Sequence, residues 1–339
     1  MREAGSPVNL IIAQGIIVAT IIQMQPSIFQ KTFKDGSHFR VSDSFVRRFL
    51  HGLMSWSIRA ATQAAQKLPK DWEDQCERSF FRKSYAIKEY DIHESLYVNS
   101  DQTQVVYAPG NRLTYNPTGA KQVAVVGIEE KWAFTLMVSV AADGTILPFQ
   151  AIYRGSTRNS LPSADSPHYE DAMAAGFLLE FSGTKTYWSN HKTMHTFVNN
   201  ILAPYFARWK TKFGLPPEQK ALWQIDVWSV HRSEEFRGWM KANHPDIILD
   251  FVPGGCTGVH QPCDVGIQRP LKLSIRKSYH EDIVAEFVGQ LNNGGTILKI
   301  DDSIGVLRDR SVGWMWNAFL VLKNKELVRK VRPHHDYNA

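Results

Sequence analysis

The order of apolar segments after residue 96 constrains the fold more than any other feature of this sequence. Short runs rich in apolar and β-branched residues come first, and the turn Ala142-Asp143-Gly144 separates the last two of them. Three or four adjacent strands of this kind predict an antiparallel meander. Helices and strands then alternate in the order βββ-α-β-α-β-α, so the first, fourth and fifth strands can pair in parallel through helical crossovers, as in an α/β protein. The predicted strands are 96–106, 122–128, 133–140, 145–153, 222–227 and 247–252, and the predicted helices are 195–213, 233–243 and about 265–288.

The N-terminal part of the chain predicts helices instead. Residues 10–22 form an apolar run of about 13 residues, shorter than the roughly 20 that a membrane helix needs. We interpret this run as a buried helix, with a secretory signal as the alternative, and expect no membrane partner. Residues 42–67 and 67–92 are two further helical segments, the first with Ser42 and Asp43 as N-caps. We therefore predict a helical region over 1–94, an α/β domain over 95–290, and a helical extension and tail over 291–339.

Composition and charge narrow the class of protein. Hydrophobic residues make up 43% of the chain, which supports a large core and excludes a disordered protein. A length of 339 residues excludes a disulfide-stapled miniprotein, and three cysteines, an odd and sparse count, indicate a reducing compartment. Lys and Arg outnumber Asp and Glu by 39 to 33, which gives a net charge of +6. This modest excess favours anionic partners such as nucleic acid.

Three acidic residues lie at positions that the packing of an apolar core does not explain. Asp101 interrupts an apolar strand, Asp226 ends the strand ALWQID, and Asp264 opens the last predicted helix after a Gly/Pro-rich loop. Each Asp taken alone is explained by a hydrogen-bonded turn or a helix cap. If the first and fourth strands are neighbours, however, Asp101 and Asp226 lie side by side, and adjacent carboxylates are best explained by a shared divalent metal ion. Asp264 would complete such an oxygen site.

The sequence blocks around these three residues resemble a known family. VNSDQTQ, WQIDVWSVHRS and FVPGGCTGVHQPCDVGIQRPLK are similar, in this order, to the DDE superfamily endonuclease domain of pogo/Tigger/jerky-type transposases. The resemblance implies a ribonuclease H-like fold, a mixed sheet flanked by helices, in which Asp101, Asp226 and Asp264 are catalytic and hold two Mg²⁺ or Mn²⁺ ions. Such ions support DNA cleavage and strand transfer by in-line phosphoryl displacement. The resemblance also implies DNA as partner and a nuclear location, and it allows a homodimer.

Two positions after the second Asp bear on whether this chemistry is retained. Val227 stands where the family usually has Asn. This difference questions a contact near the site, but it does not question Asp226 as a metal ligand. His231 stands where the family block commonly ends in Ser-His, and it is either a phosphate or carboxylate contact or an ordinary helix-start histidine. A second interpretation therefore stays open: a domesticated transposase that has lost catalysis and acts as a nuclear DNA-binding protein.

Two groups of basic residues are candidates for DNA contacts. One is a stripe at spacing i, i+3, i+7 on the last predicted helix, and a solvated helix face has the same pattern. The other lies in residues 38–67, which resemble the end of a centromere-protein-B-type helix-turn-helix, and the resemblance implies that its arginines contact DNA. The two groups are Arg269, Lys272 and Arg276, and Arg47, Arg48 and Arg59.

Two further patterns are weaker. Cys256, His260 and Cys263 read C-x₃-H-x₂-C, but a structural zinc site needs four ligands and the only other cysteine is Cys76. The run 254–258 matches G-x-C-x-G, the pattern of a nucleophile elbow, but prolines on both sides predict a loop where an elbow must enter a helix. Both patterns rank below the three carboxylates.

Overall fold

The computed structural model describes residues 10–56, 68–107, 132–293 and 300–329. The chain divides into two compact units, Met1–Leu68 and Pro69–Ala339. The strands are Tyr97–Val106 (β1), Ala133–Ala141 (β2), Gln150–Tyr153 (β3), Leu178–Phe181 (β4), Ala221–Ile225 (β5) and Ile247–Phe251 (β6). The α-helices are Leu10–Met24 (α1), Asp43–Gly52 (α2), Trp72–Glu89 (α3), Tyr169–Ala174 (α4), His191–Phe197 (α5), Ala203–Lys212 (α6), Ser229–Arg232 (α7), Glu234–Asn243 (α8), Thr257–His260 (α9), Gln268–Asn292 (α10), Ile304–Leu322 (α11) and Lys325–Arg329 (α12). Val198–Leu202 and Cys263–Ile267 are π-helical turns.

A six-stranded mixed sheet forms the centre of the second unit, in the order β4-β3-β2-β1-β5-β6. β1, β2 and β3 form an antiparallel meander, whereas β5 lies parallel to β1 on its other side and β6 lies parallel to β5. These pairings confirm the predicted meander and the predicted parallel strands joined by helical crossovers. The fold is therefore α/β, the ribonuclease H-like mixed sheet flanked by helices that the sequence predicts.

Helices cover both faces of the sheet, so every residue of β2 is buried. Phe134 and Leu136 pack in one apolar cluster with residues of α10 and α11. Met137 packs in a second cluster with α5, α6 and α8, because successive side chains of a strand point to opposite faces. Trp314 and Phe319 of α11 belong to the first cluster, so this C-terminal helix is part of the same core.

Two parts of the predicted sheet differ from the structure. The segment predicted as a strand over 145–153 pairs regularly only from Gln150, with a single bridge between Ile146 and Val140. Pro148 explains the shortening, since it has no backbone N–H to donate to a neighbouring strand. The edge strand β4 was not predicted because it has four residues, all only half-buried, and no alternation of apolar and polar side chains. The predicted strand 122–128 lies outside the described residues.

The helix predicted over 195–213 contains a π-helical turn, and a second such turn overlaps the start of the helix predicted over about 265–288. The turns Val198–Leu202 and Cys263–Ile267 come just before Pro204 and Pro270, respectively. A proline lacks the amide N–H and crowds the carbonyl four residues earlier, so the turn before it widens. The second of these turns contains Asp264.

The N-terminal unit contains the predicted helix over the apolar run. Ala13, Val41 and Val46 are buried in its small core, but Ile22 remains 57% exposed, so the helix is only partly buried. Ser42 caps α2 as predicted, its side chain accepting a hydrogen bond from the backbone N–H of Phe45 at 3.3 Å. Residues 57–67, the rest of the predicted helical segment, lie outside the described residues. No helix among the described residues is long and apolar enough to cross a membrane.

Helix α3 belongs to the second unit. Its Arg82 Nη2 lies 2.6 Å from Oδ1 of Asp250 on β6, and the same guanidinium donates to the carbonyl of Phe251 at 3.0 Å. The structural division therefore lies between Leu68 and Pro69. The domain boundaries placed at residues 94 and 290 stay predictions.

Candidate active site

Asp101 lies near the middle of β1, and only 8% of its surface is exposed. The alternation of the strand places Asn99, Asp101 and Thr103 on one face. That face is covered by the segment from Gln261 to Gln268, which hydrogen-bonds all three of these side chains. The buried carboxylate that the sequence predicts in an apolar strand is therefore present, and polar groups surround it.

Asp226 directly follows the last residue of β5. Asn99 of β1 lies opposite Gln224 of β5 in a parallel pair, and the same register continued by two residues places Asp226 level with Asp101. Asp226 Oδ1 accepts a hydrogen bond of 2.8 Å from Nδ1 of His231, which is only 2% exposed. His231 is thus a carboxylate contact, one of the two roles predicted for it.

Asp264 is positioned by the Gln-Pro-x-Asp block, which docks on β1. Gln261 Nε2 donates to the carbonyl of Ser100 at 3.4 Å, and the backbone N–H of Cys263 donates to Asn99 Oδ1 at 3.0 Å. Both contacts hold the π-helical turn against the strand. Asp264, within that turn, is thereby placed next to Asp101.

Gln268 joins two of the three carboxylates. Its side-chain nitrogen Nε2 donates to Asp101 Oδ2 and, at 2.8 Å, to Asp264 Oδ1. Its oxygen Oε1 accepts from Thr103 Oγ1 at 3.1 Å and from Lys272 Nζ at 3.2 Å. We call the Gln268 amide with its bonds to Asp101 and Asp264 the Gln268 bridge.

The pKa values of Asp101 and Asp264 are shifted by burial and by neighbouring charges. Burial raises the pKa of Asp101 well above its ordinary value of 3.8, the charges of Asp264 and Asp226 raise it further, and the Gln268 hydrogen bond partly offsets the rise. Burial also raises the pKa of Asp264, a hydrogen bond with Asp101 lowers it, and the charge of Asp226 raises it. The structure therefore places Asp101 and Asp264 side by side with the charge of Asp226 acting on both, and burial disfavours the ionised forms of Asp101 and Asp264.

The donor set suits a hard divalent cation, because all three side chains are carboxylates. As they stand, however, no three His, Cys, Asp or Glu side chains in the described part of the chain are grouped closely enough to hold a metal ion. Gln268 lies between Asp101 and Asp264, and Asp226 is engaged by His231. Binding of one metal ion by all three carboxylates would need these contacts to rearrange.

The C-x₃-H-x₂-C pattern does not form a zinc site. His260 Nε2 lies 3.1 Å from Ser79 Oγ and 3.0 Å from Lys83 Nζ. Cys263 Sγ instead lies 3.6 Å from the carbonyl oxygen of Asn99. His260 and Cys263 thus contact different neighbours and do not converge on one site.

The predicted basic stripe is exposed on α10. Arg269, Lys272 and Arg276 all reach solvent on the helix that starts four residues after Asp264. In the N-terminal unit, Arg47 and Arg48 are exposed on α2, and Arg59 lies outside the described residues. Contacts of these arginines and of the stripe with DNA stay predictions.

Sequence reasoning missed Gln268 and Thr103 as parts of the site. A cue was present for each. Gln268 follows Asp264 by four residues, a spacing that places two side chains on the same side of a helix. Thr103 follows Asp101 by two residues, which places both on one face of a strand.

Comparison with known proteins agrees with these observations. The DDE superfamily endonuclease family matches residues 129–306, a range that contains Asp226 and Asp264 but not Asp101. The protein "Pogo transposable element with KRAB domain" from Homo sapiens is 24% identical over 287 residues, which cover 84% of this chain and 42% of that protein. Its namesake from Mus musculus is 23% identical over 337 residues, or 99% of this chain and 49% of that protein.

This chain thus spans less than half the length of these two curated relatives. Among solved structures, the Mos1 mariner paired end complex with Mn is similar with a TM-score of 0.41 and 10% identity, over 96% of this chain and 78% of that chain. Because the family match extends over half of the sequence, this chain belongs to the DDE superfamily endonuclease family, and it is similar to pogo transposable element proteins.

Proposed function

We propose that this chain carries a metal-dependent DNA endonuclease and strand-transfer centre, with Asp101, Asp226 and Asp264 as the ligands of two Mg²⁺ or Mn²⁺ ions. One observation carries the proposal: the Gln268 amide contacts both Asp101 and Asp264, and Asp226 directly follows β5, the strand that pairs in parallel with β1. Clustered carboxylates of this kind are costly in a fold unless a cation or a proton compensates them. Membership of the DDE endonuclease family supports the same reaction class.

In this proposal the carboxylates hold the metal ions, and a neighbouring histidine orients one of the carboxylates. When bound, two divalent ions supply activation of the attacking oxygen and stabilisation of the leaving oxygen in an in-line phosphoryl displacement. Asp101 offers a carboxylate fixed on a central strand, whereas Asp264 lies in a turn that leads into α10. His231 orients the carboxylate of Asp226 through its 2.8 Å hydrogen bond.

The basic stripe of α10 supports a path for DNA that leads to this centre. Arg269, Lys272 and Arg276 are exposed on the helix that begins directly after the turn containing Asp264. Cations in a row along a helix can follow successive phosphates of a DNA strand. We expect DNA bound along the stripe to present a phosphate to the three carboxylates. We also expect the protein to be nuclear and able to act as a homodimer.

A second candidate is a nuclear DNA-binding protein that keeps the fold without the catalysis. The observation that favours it is the arrangement of the acids, which in the described residues are not grouped closely enough to hold a metal ion. Val227, half-buried directly after Asp226, also replaces the polar residue usual in the family. This candidate uses the same basic stripe but needs no cation.

Calorimetric titration with Mn²⁺ separates the two candidates. The endonuclease proposal expects saturable binding to the full chain, loss of that binding in Asp226→Asn, and no change in the control Asp74→Asn, which alters an exposed acid on α3. Nicking of supercoiled plasmid in Mn²⁺ then measures the reaction itself. Binding of DNA without nicking, in a protein that takes up no Mn²⁺, would favour the non-catalytic protein.

A further inference from the structure

All four hydrogen-bonding positions of the Gln268 side chain have partners within the site. Its two N–H groups donate to Asp101 and Asp264, and its oxygen accepts from Thr103 and Lys272. The orientation of the amide follows from Lys272, since a lysine ammonium only donates hydrogen bonds and so contacts the amide oxygen. A flipped amide would set its oxygen against two carboxylates.

The position of this amide affects whether a cation can bind to the same carboxylates. Its NH₂ group carries partial positive charge and lies between two like-charged groups, which is where a cation shared by Asp101 and Asp264 would have to lie. A carboxylate oxygen that accepts from Gln268 turns its lone pair toward the amide. The Gln268 bridge and a bound cation therefore compete for the same oxygens.

We propose that Gln268 is a positioning residue that holds Asp101 and Asp264 in the metal-free arrangement, and that a cation binds only after the Gln268 bridge opens. This inference rests on the proposed function, in which Asp101 and Asp264 are metal ligands. The bridge lowers the apparent metal affinity, because only the fraction of molecules with the bridge open can bind. It also reduces the repulsion between the buried carboxylate of Asp101 and the half-buried carboxylate of Asp264 in the metal-free protein.

Gln268 is placed to open without unfolding the site. It is the first residue of α10 and follows the π-helical turn, and its side chain is half-buried rather than enclosed. Of the two groups that hold its oxygen, Thr103 is 4% exposed and fixed on β1, whereas Lys272 is exposed. Rotation of the Gln268 side chain breaks the bridge and leaves the backbone of both carboxylates in place.

The test is Mn²⁺ titration of the full chain as wild type and as Gln268→Met, which keeps the length of the side chain and removes the amide. We expect the dissociation constant for Mn²⁺ to fall about tenfold in Gln268→Met, because the competing hydrogen bonds are gone. The matched control is Gln290→Met, the same change near the other end of the same helix, where the side chain donates to Glu286. It should bind Mn²⁺ as the wild type does.

A purely structural role for Gln268 would lower the melting temperature in EDTA but would not tighten Mn²⁺ binding. If Gln268→Met does not fold, Thr103→Val removes one of the two donors to the amide oxygen and should tighten Mn²⁺ binding by a smaller factor. Equal or weaker Mn²⁺ binding in the variants, with saturable binding in the wild type, overturns the inference and leaves the proposed function standing. Absence of Mn²⁺ binding in folded wild type and folded variants overturns the proposed function, and the inference with it.

Discussion

The Asp226 carboxylate accepts a hydrogen bond of 2.8 Å from His231, a ring that is 2% exposed and whose second nitrogen, Nε2, is buried without a hydrogen-bond partner among the described residues. A carboxylate only accepts, so the proton of this bond belongs to Nδ1 of the histidine. The bond fixes the side chain of Asp226 at the end of β5. His231 therefore positions Asp226, and the ring of His231 is itself buried against Trp228 and Phe236.

Replacement of His231 tests this support. We expect His231→Ala to lower the free energy of unfolding by about 2 to 4 kcal/mol, because it leaves a cavity and removes the donor to Asp226. Urea denaturation of the metal-free protein measures the change. The control His280→Ala alters an exposed histidine on α10 and should stay within about 0.5 kcal/mol of the wild type. Equal effects of the two substitutions would mean that His231 gives no such support.

Asp226→Asn should leave the metal-free fold intact or make it more stable. The amide oxygen of Asn can still accept from His231, while the substitution removes a negative charge that acts on Asp101 and Asp264. Urea denaturation in EDTA should therefore give an unfolding free energy equal to or above that of the wild type. A loss of more than about 2 kcal/mol would identify Asp226 as a structural residue rather than a candidate ligand.

The pKa of Asp101 predicts how the stability of the metal-free protein depends on pH. Its pKa is raised in the folded state, so the folded protein binds its proton more tightly than the unfolded chain does. Its contribution to the free energy of unfolding is thus fully present below the ordinary pKa of 3.8 and is lost as the pH rises through the raised pKa of the folded state. Asp101→Asn, compared with Asp74→Asn in EDTA, should reduce this loss, and an unchanged pH profile would contradict the assignment.

The main architecture could be predicted because it rests on patterns that local sequence carries. Apolar runs predicted β1, β2, β5 and β6. The alternation of these strands with helices predicted the parallel pairing of β1 with β5, which brings Asp226 close to Asp101. The edge strand β4 could not be predicted, since a short half-buried strand has no strong period. Its place depends on pairing with β3, which is a tertiary contact.

The site could be predicted only at the level of its acids. An Asp in an apolar strand is conspicuous, because its burial demands compensation. A Gln one turn after Asp264 is not, since glutamine is ordinary on a helix. That Gln268 reaches across to Asp101 follows from the docking of the Gln261–Cys263 segment on β1, a contact between residues far apart in sequence.

The basic stripe should dominate the salt dependence of DNA binding. Reversal of charge at Arg269, Lys272 and Arg276 should flatten the slope of log K against log salt by up to about three units. The control reverses three exposed charges on α6 and α8, helices that pack on the other face of the sheet: Arg208, Arg237 and Lys241. Fluorescence anisotropy with a duplex at several salt concentrations measures both slopes, and equal slopes would mean that DNA does not follow α10.

DNA should also raise the affinity for Mn²⁺, through Lys272. Its ammonium belongs to the basic stripe and also donates to the Gln268 oxygen at 3.2 Å. A DNA phosphate that attracts Lys272 removes one of the two donors that hold the amide in place, so the Gln268 bridge opens more easily. Because coupling between two ligands is reciprocal, Mn²⁺ should strengthen DNA binding by the same factor.

Titration of Mn²⁺ with and without a saturating duplex measures this coupling directly. We expect the dissociation constant to fall several-fold with DNA in the wild type, a coupling of about 1 kcal/mol. Direct attraction between the ion and DNA phosphates would act in any variant, so Gln268→Met supplies the control. In that variant there is no bridge left to open, and the part of the effect that passes through Lys272 should disappear. An equal effect of DNA in both proteins would show that phosphate contacts alone cause the coupling, and that Lys272 does not act on the metal centre through Gln268.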